Sequence, residues 1–312
     1  MSGTTLAAFD GVSKSFGRNV ALRGLSFGVS EGAVCGLLGP NGSGKTTAIR
    51  ILLGLGRADA GSAGLLGVPV GGTGFASAVR QTGSLIEGPA LYDRASARRN
   101  MRIQADARAI RRPDGEIASL LELVGLADRA DTKAGGFSMG MKQRLGLAVA
   151  LLGSPKLVIL DEPTNGLDPS GIVEIRKLIA RLPESGVTVL VSSHLLSEVQ
   201  LMCDRVTIIN RGELVLDGTI AEVLSTASGE DGYIVGVQPG ESARATEALA
   251  GVGLKVAARE DGALSVSGPI ADGSQLSCVL AGEGIYVTRL QTDNADLERV
   301  FLELTGSAES EG

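Results

Sequence analysis

A glycine-rich octapeptide lies between an apolar run and a helical pattern. Its residues are Gly39, Pro40, Asn41, Gly42, Ser43, Gly44, Lys45 and Thr46. Glycines let successive backbone N–H groups turn towards a phosphate, and the start of a helix favours an anion. The preceding run, residues 33–38, predicts a buried parallel strand, and residues 45–53 predict a helix. This order predicts a P-loop in an α/β nucleotide-binding domain.

The P-loop also predicts its ligands, a nucleoside triphosphate and Mg²⁺. Lys45 is placed to reach the β- and γ-phosphates and the Thr46 hydroxyl to ligate Mg²⁺, while Thr47 follows in the predicted helix. The loop alone does not separate an ATPase, a GTPase and a kinase. The Asn-Lys-x-Asp motif by which GTPases usually read guanine does not occur in this chain.

Two further apolar runs end in polar side chains suited to hydrolysis. Residues 157–160 are followed by Asp161 and Glu162. At the carboxyl end of a parallel strand, Asp161 would face the ligand crevice and help to hold Mg²⁺. Glu162 would orient the attacking water or accept its proton. His194, the chain's one histidine, follows a second apolar run, although a lone histidine is more often structural than catalytic.

Charge is distributed unevenly along the 312 residues. Residues 227–312 carry 14 acidic and 5 basic side chains, whereas residues 1–226 carry 21 acidic and 24 basic ones. This change predicts a domain boundary between residues 226 and 227. An acidic carboxyl-terminal part argues against nucleic acid as a partner.

Neither membrane insertion nor disulfide bonding is expected. No apolar stretch reaches the roughly 18–20 residues of a membrane-spanning helix, and residues 1–5 lack the features of a signal peptide. We therefore expect a cytoplasmic protein. The three cysteines are isolated in sequence, which predicts buried thiols and no zinc site.

Strand-like and helix-like patterns alternate, which predicts a layered α/β domain. Residues 6–29 predict short strands broken by turns, and residues 80–135 a mainly helical region. Further predicted elements are a helix over 141–152, a hairpin of 206–209 with 213–216, strands over 233–237 and 263–266, and helices over 243–249 and 296–304.

Residues 137–144 resemble the signature of the ABC ATPases. They read Phe-Ser-Met-Gly-Met-Lys-Gln-Arg, where the common form begins Leu-Ser-Gly-Gly-Gln. Residues 162–168 are similar to that family's D-loop region, and residues 192–194 to its switch-histidine loop. Five motifs in the family's order, across residues 39–194, identify the chain as a member of the ABC ATPases.

The resemblance implies an architecture. It implies a P-loop NTPase with a RecA-like core, an antiparallel β subdomain and a helical subdomain over about residues 88–150, all within residues 1–226. Residues 227–312 are expected to form a small α+β accessory domain, of ferredoxin-like type.

The resemblance also implies shared ATP sites. In this family two subunits pair head to tail, with each ATP between one P-loop and the other subunit's signature. Ser138, Gly140 and Met141 would thus contact the γ-phosphate of ATP bound to the partner, and Asp168 would lie at the dimer interface. His194 would contact the γ-phosphate during hydrolysis, which favours a catalytic role over a structural one.

Two positions at the nucleotide site are assigned with open alternatives. Phe16 occupies the place of the family's adenine-stacking aromatic, although an ordinary core or edge Phe would look the same. Glu87 stands where the family's glutamine loop has Gln, close to Mg²⁺ and to the permease. Gln81, six residues earlier, is the alternative. Glu87 is thus one departure from the family's pattern. Met139 is another, because the common signature has glycine at that position.

Arg94, Arg98 and Arg102 fall at i, i+4 and i+8 and predict one basic helix face. In the family this region docks the permease. A solvated face and a contact with anionic lipid headgroups are the alternatives.

Residues 85–89, 137–141 and 296–306 resemble the exporter branch that includes daunorubicin- and bacitracin-resistance ATPases. The resemblance implies that MgATP closes a dimer, expected to be a homodimer, on the inner face of the membrane. This dimer would drive a separate permease that exports a drug, antibiotic or lipid-like compound. The alternatives are a soluble ABC ATPase acting on ribosomes or DNA, and a regulator that binds ATP without useful turnover.

Overall fold

The computed structural model describes residues 4–227, 232–259, 261–270 and 272–293, together with Leu297, Val300 and Phe301. The chain divides into two compact units, one ending at Ile220 and the other beginning at Ala221. The boundary predicted from charge, between residues 226 and 227, stays a prediction. The predicted helix over 296–304 lies largely outside the described residues.

The first unit alternates strands and helices. In chain order its elements are β1 (Thr5–Phe16), β2 (Asn19–Ser30), β3 (Val34–Leu38), α1 (Lys45–Leu52), β4 (Ala60–Leu65), β5 (Val68–Pro69), α2 (Phe75–Arg80), β6 (Thr82–Leu85), α3 (Ala97–Ala107), α4 (Asp114–Leu123), α5 (Met139–Leu151), β7 (Leu157–Asp161), α6 (Pro169–Arg181), β8 (Thr188–Ser193), α7 (Leu196–Gln200), β9 (Arg205–Asn210) and β10 (Glu213–Thr219), and helix α8 (Ile220–Ala227) follows at the boundary.

The central sheet has the strand order β10-β9-β3-β8-β7-β6. Strands β9, β3, β8, β7 and β6 pair in parallel, and β10 closes the edge as an antiparallel hairpin with β9, as predicted. Strands β3, β7 and β8 are buried along their whole length, as expected for parallel strands covered on both faces. In register, Leu38 pairs with Ser193 and Asp161 with Ser192. The carboxyl ends of three strands therefore meet at one edge.

The expectation of short strands over residues 6–29 is wrong. Strands β1 and β2 each run for 12 residues and belong to an antiparallel sheet of order β2-β1-β4-β5. Gly11 has a φ of +60° and lies where the β1–β2 register shifts, between Phe9 and Val12. A glycine at a β-bulge keeps the strand continuous. The glycine that looked like a turn is therefore a bulge within a long strand.

The region predicted to be mainly helical contains strand β6, which the sequence did not indicate. Helices α3, α4 and α5 surround a separate apolar core that includes Met101, Leu121 and Leu145. Strand β6 precedes them and forms the edge of the central sheet beside β7. The helical layer is thus joined directly to an edge strand of the nucleotide-binding core.

The second unit is a small α+β fold. Its described elements are β11 (Gly232–Gly236), α9 (Ser242–Gly251), β12 (Lys255–Ala258), β13 (Leu264–Ser267), α10 (Gly273–Gly282) and β14 (Arg289–Asp293). The antiparallel order β12-β13-β11-β14, with a βαββαβ sequence, is the ferredoxin-like arrangement. Val235, Leu249 and Leu280 are fully buried in its core.

Two of the three cysteines are buried, as predicted, and the third is not. Burial raises the pKa of the Cys35 thiol to about 11 and that of Cys203 well above its usual value. Both are therefore protonated and unreactive near neutral pH. Cys278 is exposed on α10, so the prediction of a buried thiol is wrong there. None of the helices in the described part of the chain has the length and apolar character needed to cross a membrane.

Candidate active site

The glycine-rich loop connects the carboxyl end of β3 to the first turn of α1, as the sequence predicted. Gly39 lies so close to β9 that an added Cβ would be 2.1 Å from the carbonyl oxygen of Ile209. At Gly44, with a φ of +108°, a Cβ would meet the carbonyl oxygen of Ala21 at 2.6 Å. Glycine is therefore required at both positions, and the loop is held against neighbouring strands.

The loop borders a surface pocket of about 280 Å³. Its lining residues are Phe16, Asn19, Ala21, Asn41, Gly42, Ser43, Gly44, Lys45, Thr46, Thr47 and Glu162. Gly39 and Pro40 do not line the pocket but accept hydrogen bonds from Lys45. Phe16, the last residue of β1, is 58% exposed.

The residues around this pocket fit a nucleotide's phosphates. The Ser43 hydroxyl is buried and has no hydrogen-bond partner in the described part of the chain. A buried polar atom without a partner is costly, and a phosphate oxygen would satisfy it. The backbone N–H groups in the first turn of α1 also lack partners within the helix. The loop can therefore supply several donors to an anion.

Lys45 is a buried ammonium surrounded by oxygen atoms. Its Nζ donates to the carbonyl oxygens of Gly39 at 2.7 Å and Pro40 at 3.2 Å, and lies 3.3 Å from Oε1 of Glu162. Its side chain is only 5% exposed. A buried cation of this kind is suited to meeting phosphate charge.

Thr46 and Asp161 are brought together, although 115 positions separate them in the chain. The Thr46 hydroxyl donates to Oδ2 of Asp161 at 2.9 Å. Hydroxyl and carboxylate oxygens are hard ligands, and Mg²⁺ is usually held by one or two carboxylates with phosphates and water. In the described residues no group of three or more His, Cys, Asp and Glu side chains could hold a metal ion. The Thr46–Asp161 pair fits a Mg²⁺ whose remaining ligands are phosphate oxygens and water.

Ser192 is a site residue that sequence reasoning did not assign a role. Its hydroxyl donates to Oδ1 of Asp161 and accepts from the backbone N–H of Glu162 at 3.0 Å. These contacts follow from the β7–β8 register, which places Ser192 opposite Asp161. Ser192 thus orients both carboxylate residues, and its position two residues before His194 was the available signal.

Glu162 and His194 form a direct pair. Nδ1 of His194 lies 2.7 Å from Oε2 of Glu162, whose other oxygen faces Lys45. Glu162 also has a φ of +49°, a left-handed backbone that is uncommon and costly for a residue with a Cβ. Lys45 and His194 therefore both contact the carboxylate of Glu162, so the structure brings the three predicted catalytic residues together.

Glu87 is bound to the helix that follows the P-loop. Its carboxylate forms an ion pair with Arg50 on α1, one turn beyond Thr46, and its φ is +57°. No contact of Glu87 with Thr46 or Asp161 is seen, so its assignment to the metal stays a prediction. The alternative residue, Gln81, is exposed and its amide donates to Ser77 in the preceding helix.

The signature residues lie at the start of α5. The Ser138 hydroxyl caps this helix by accepting from the N–H of Met141 at 3.2 Å, and Met139 is 57% exposed. Gly140 has open space around it. Ser138 does not line the pocket of its own chain. The signature is thus presented at the surface of the first unit.

Asp168 has the same capping role on α6. Its carboxylate accepts from the Ser170 hydroxyl and the Gly171 N–H. These two hydrogen bonds, with Ser170 the larger cause, hold the pKa of Asp168 below its usual value. Its place at a dimer interface stays a prediction.

The predicted basic helix face is wrong in part. Helix α3 begins at Ala97, with Ser96 as its cap, so Arg94 lies in the preceding turn. Arg98 and Arg102 are on α3, but they form ion pairs with Asp131 and Asp114. Arg98 and Arg102 are spaced i, i+4 on α3 as predicted, whereas the helix start was misjudged because the Ser96 cap was not recognised.

A P-loop at the end of a parallel strand, a Thr–Asp oxygen pair and a glutamate beside a histidine define the class of P-loop nucleoside triphosphatases. Comparison with known proteins narrows this class. A family described as ABC transporter matches residues 22–165. The chain is 38% identical over 316 residues to the uncharacterized ABC transporter ATP-binding protein YhcH of Bacillus subtilis, covering 98% of both chains.

Two further similarities point to the same family of ABC transporter ATP-binding proteins. The chain is 42% identical over 217 residues to the bacitracin transport ATP-binding protein BcrA of Bacillus licheniformis, covering 68% of this chain and 69% of that one. A solved structure of the ATP binding subunit of an ABC transporter superposes with a TM-score of 0.64 and 28% identity, over 71% of this chain and 93% of that one. The chain belongs to the ABC transporter ATP-binding proteins, and it is an ATPase subunit that binds and hydrolyses ATP.

Proposed function

We propose that this chain is the motor of an exporter, in which two copies close on MgATP and drive a separate permease at the inner face of the membrane. The main support for an ATP-hydrolysing motor is the position of the Glu162 carboxylate beside the P-loop pocket. Its Oε1 lies 3.3 Å from Nζ of Lys45, and its Oε2 lies 2.7 Å from Nδ1 of His194. This arrangement has the parts needed for turnover, which favours a motor over a regulator that only binds ATP.

The residues of one chain perform most of the hydrolysis. Mg²⁺, which Thr46 and Asp161 would hold, supplies charge neutralisation to the β- and γ-phosphates. Lys45 binds the same phosphates. Glu162 accepts the proton of the attacking water, and Lys45 and His194 hold its two oxygens in place. With Nδ1 of His194 facing Glu162, Nε2 is the ring atom that reaches the γ-phosphate.

The signature supplies the missing side of each site from a second copy. Ser138 is exposed at a helix start and does not line the pocket of its own chain. The Ser138 hydroxyl and the backbone N–H groups in the first turn of α5 are therefore available to a phosphate on another subunit. The Asp168 cap on α6 would lie in the same interface. ATP then joins the two subunits, and hydrolysis releases them.

Mixing two inactive variants tests this sharing of sites. Glu162→Gln removes the base, whereas Ser138→Asp keeps the helix cap and places a negative charge against the phosphate. Each variant alone should be inactive. In a mixed dimer one site combines the intact Glu162 of one copy with the intact Ser138 of the other. An equimolar mixture should therefore regain roughly a quarter of wild-type ATP hydrolysis, since about half of the dimers are mixed. A mixture as inactive as its components would contradict shared sites.

The permease and the exported compound are proposed from the kind of relative that the chain resembles. BcrA is a bacitracin transport ATP-binding protein, and the present chain is 42% identical to it over 217 residues. We infer a drug, antibiotic or lipid-like cargo on that ground. Arg98 and Arg102 form ion pairs, whereas Tyr92, which is 56% exposed, and the exposed Arg94 and Arg99 offer side chains to a permease around the start of α3.

A pull-down identifies the partner. Tagged Glu162→Gln chain, with MgATP present to hold the closed state, is captured from detergent-solubilised membranes of the source cells and the bound proteins are analysed by mass spectrometry. We expect a polytopic membrane protein that is absent when untagged chain is used. Enrichment of ribosomal or DNA-repair proteins in its place would leave the ATPase standing and overturn the transport proposal.

A further inference from the structure

Lys14 lies against the aromatic ring that is proposed to stack on adenine. Its ammonium is 5.4 Å from the centroid of the Phe16 ring, which is within the range of a cation–π contact. The Lys14 side chain is 18% exposed, whereas Phe16 is 58% exposed. Phe16 lines the P-loop pocket and Lys14 does not. Lys14 therefore contacts the ring without being part of the pocket lining.

Asp59 fixes Lys14 in this position. Its Oδ1 accepts from Nζ of Lys14 at 2.7 Å, and its Oδ2 accepts from the backbone N–H of Ser15 at 2.7 Å. The Asp59 N–H in turn donates to the carbonyl oxygen of Ser13 at 2.8 Å. Asp59 immediately precedes β4, so these bonds tie the end of β1 to the neighbouring strand. The bonds from Lys14 and Ser15 also hold the pKa of the Asp59 carboxyl below its usual value.

We infer that Lys14, held by Asp59, is a positioning residue for the nucleotide base: it orients the Phe16 ring for stacking. The inference rests on the proposed role of Phe16. An exposed aromatic side chain loses rotamer freedom when a base stacks on it. A contact that orders the ring beforehand removes part of that loss and strengthens binding of the base, while the phosphates are unaffected.

This position is better suited to orienting the ring than to binding phosphate directly. Lys14 is committed to Asp59 and to the ring face, whereas Lys45 is the cation at the loop. A lysine acting on phosphates would affect ATP and inorganic tripolyphosphate alike. A lysine acting through Phe16 affects ATP only. The two ligands therefore separate these roles.

The test measures binding of ATP and of tripolyphosphate to the full chain by calorimetry, in EDTA so that hydrolysis does not occur. Phe16→Ala should weaken ATP binding by roughly tenfold, since base stacking on an aromatic ring is worth about one to two tenfold steps. Lys14→Met, which keeps the apolar stem and removes the charge, should weaken it by roughly 2- to 5-fold. Tripolyphosphate binding should not change in either variant.

Three comparisons make the result decisive. Lys14→Arg should restore ATP affinity, because a guanidinium also binds an aromatic face. Adding Lys14→Met to Phe16→Ala should cause no further loss, since contacting residues are not additive. Lys177→Met, at an exposed lysine on α6, is the matched control and should bind as wild type.

Three results would overturn the inference in different ways. If Phe16→Ala weakens ATP binding and Lys14→Met does not, Lys14 has no part in base binding and the Phe16 assignment stands. If Phe16→Ala leaves ATP binding unchanged, the base-stacking role of Phe16 fails and the role of Lys14 fails with it. An equal loss of ATP and tripolyphosphate in Lys14→Met would also contradict the inference.

Discussion

Glu162→Gln is expected to lower steady-state ATP hydrolysis by about 10²- to 10⁴-fold, the usual contribution of a positioned general base. Glutamine keeps the size of the side chain and can still contact Lys45 and His194, but it cannot accept the proton of the attacking water. ATP affinity measured in EDTA should stay close to wild type, because the P-loop is unchanged. Phosphate release and calorimetric ATP binding measure the two quantities separately.

The matched control is Glu184→Gln, which makes the same chemical change at an exposed position outside the pocket. It should retain wild-type hydrolysis. Turnover by Glu162→Gln equal to that of this control would show that another group activates the water. A loss of ATP binding together with turnover would show that Glu162 acts through Lys45, at 3.3 Å, and not as the base.

The parts of the site that could be predicted are those whose chemistry is local in sequence. The P-loop is a continuous segment, and Asp161 and Glu162 follow an apolar run directly. The roles of these residues followed from the position of each segment at the end of a strand. Ser192 could not be assigned in this way, because its contact with Asp161 depends on the register of two strands 31 positions apart.

Contacts between distant segments account for the remaining differences. The pairing of Lys14 with Asp59 spans 45 positions, and the pairing of Glu87 with Arg50 spans 37. A sequence motif can single out a residue such as Glu87, but it does not show which distant residue that side chain contacts. The glutamate at the glutamine-loop position was therefore noticed in the sequence, whereas its attachment to α1 appears only in the fold.

Two of the errors in the fold, in β1 and in β6, have a common physical cause. Glycine permits a turn, a bulge or a close approach, and the sequence does not show which one occurs. Gly11 is a bulge in β1 and not the end of a short strand. Gly83 lies in β6, where it made the strand unrecognisable by β-propensity. Gly83 allows the close packing of β6 on α5, and Gly11 adopts the positive φ at the bulge where the β1–β2 register shifts.

Gly83→Ala is expected to destabilise the first unit by about 2–3 kcal/mol, at the upper end of the usual cost of overpacking. A Cβ at Gly83 would lie 2.0 Å from the carbonyl oxygen of Ala150 in α5. That neighbour is backbone, so the added atom fits only if β6 and α5 move apart. For a unit of this size the melting temperature should fall by roughly 4–12 °C, which calorimetry can measure.

The same substitution tests how the signature is held in place. Helix α5 runs from Met139 to Leu151, so a shift at Ala150 moves the helix that carries Ser138. Below its melting temperature, Gly83→Ala should therefore bind ATP normally through the unchanged P-loop but hydrolyse it more slowly. Gly115→Ala in α4, where an added Cβ has open space, should lose neither stability nor activity. A Gly83→Ala protein as stable as the Gly115→Ala control would contradict the close β6–α5 approach.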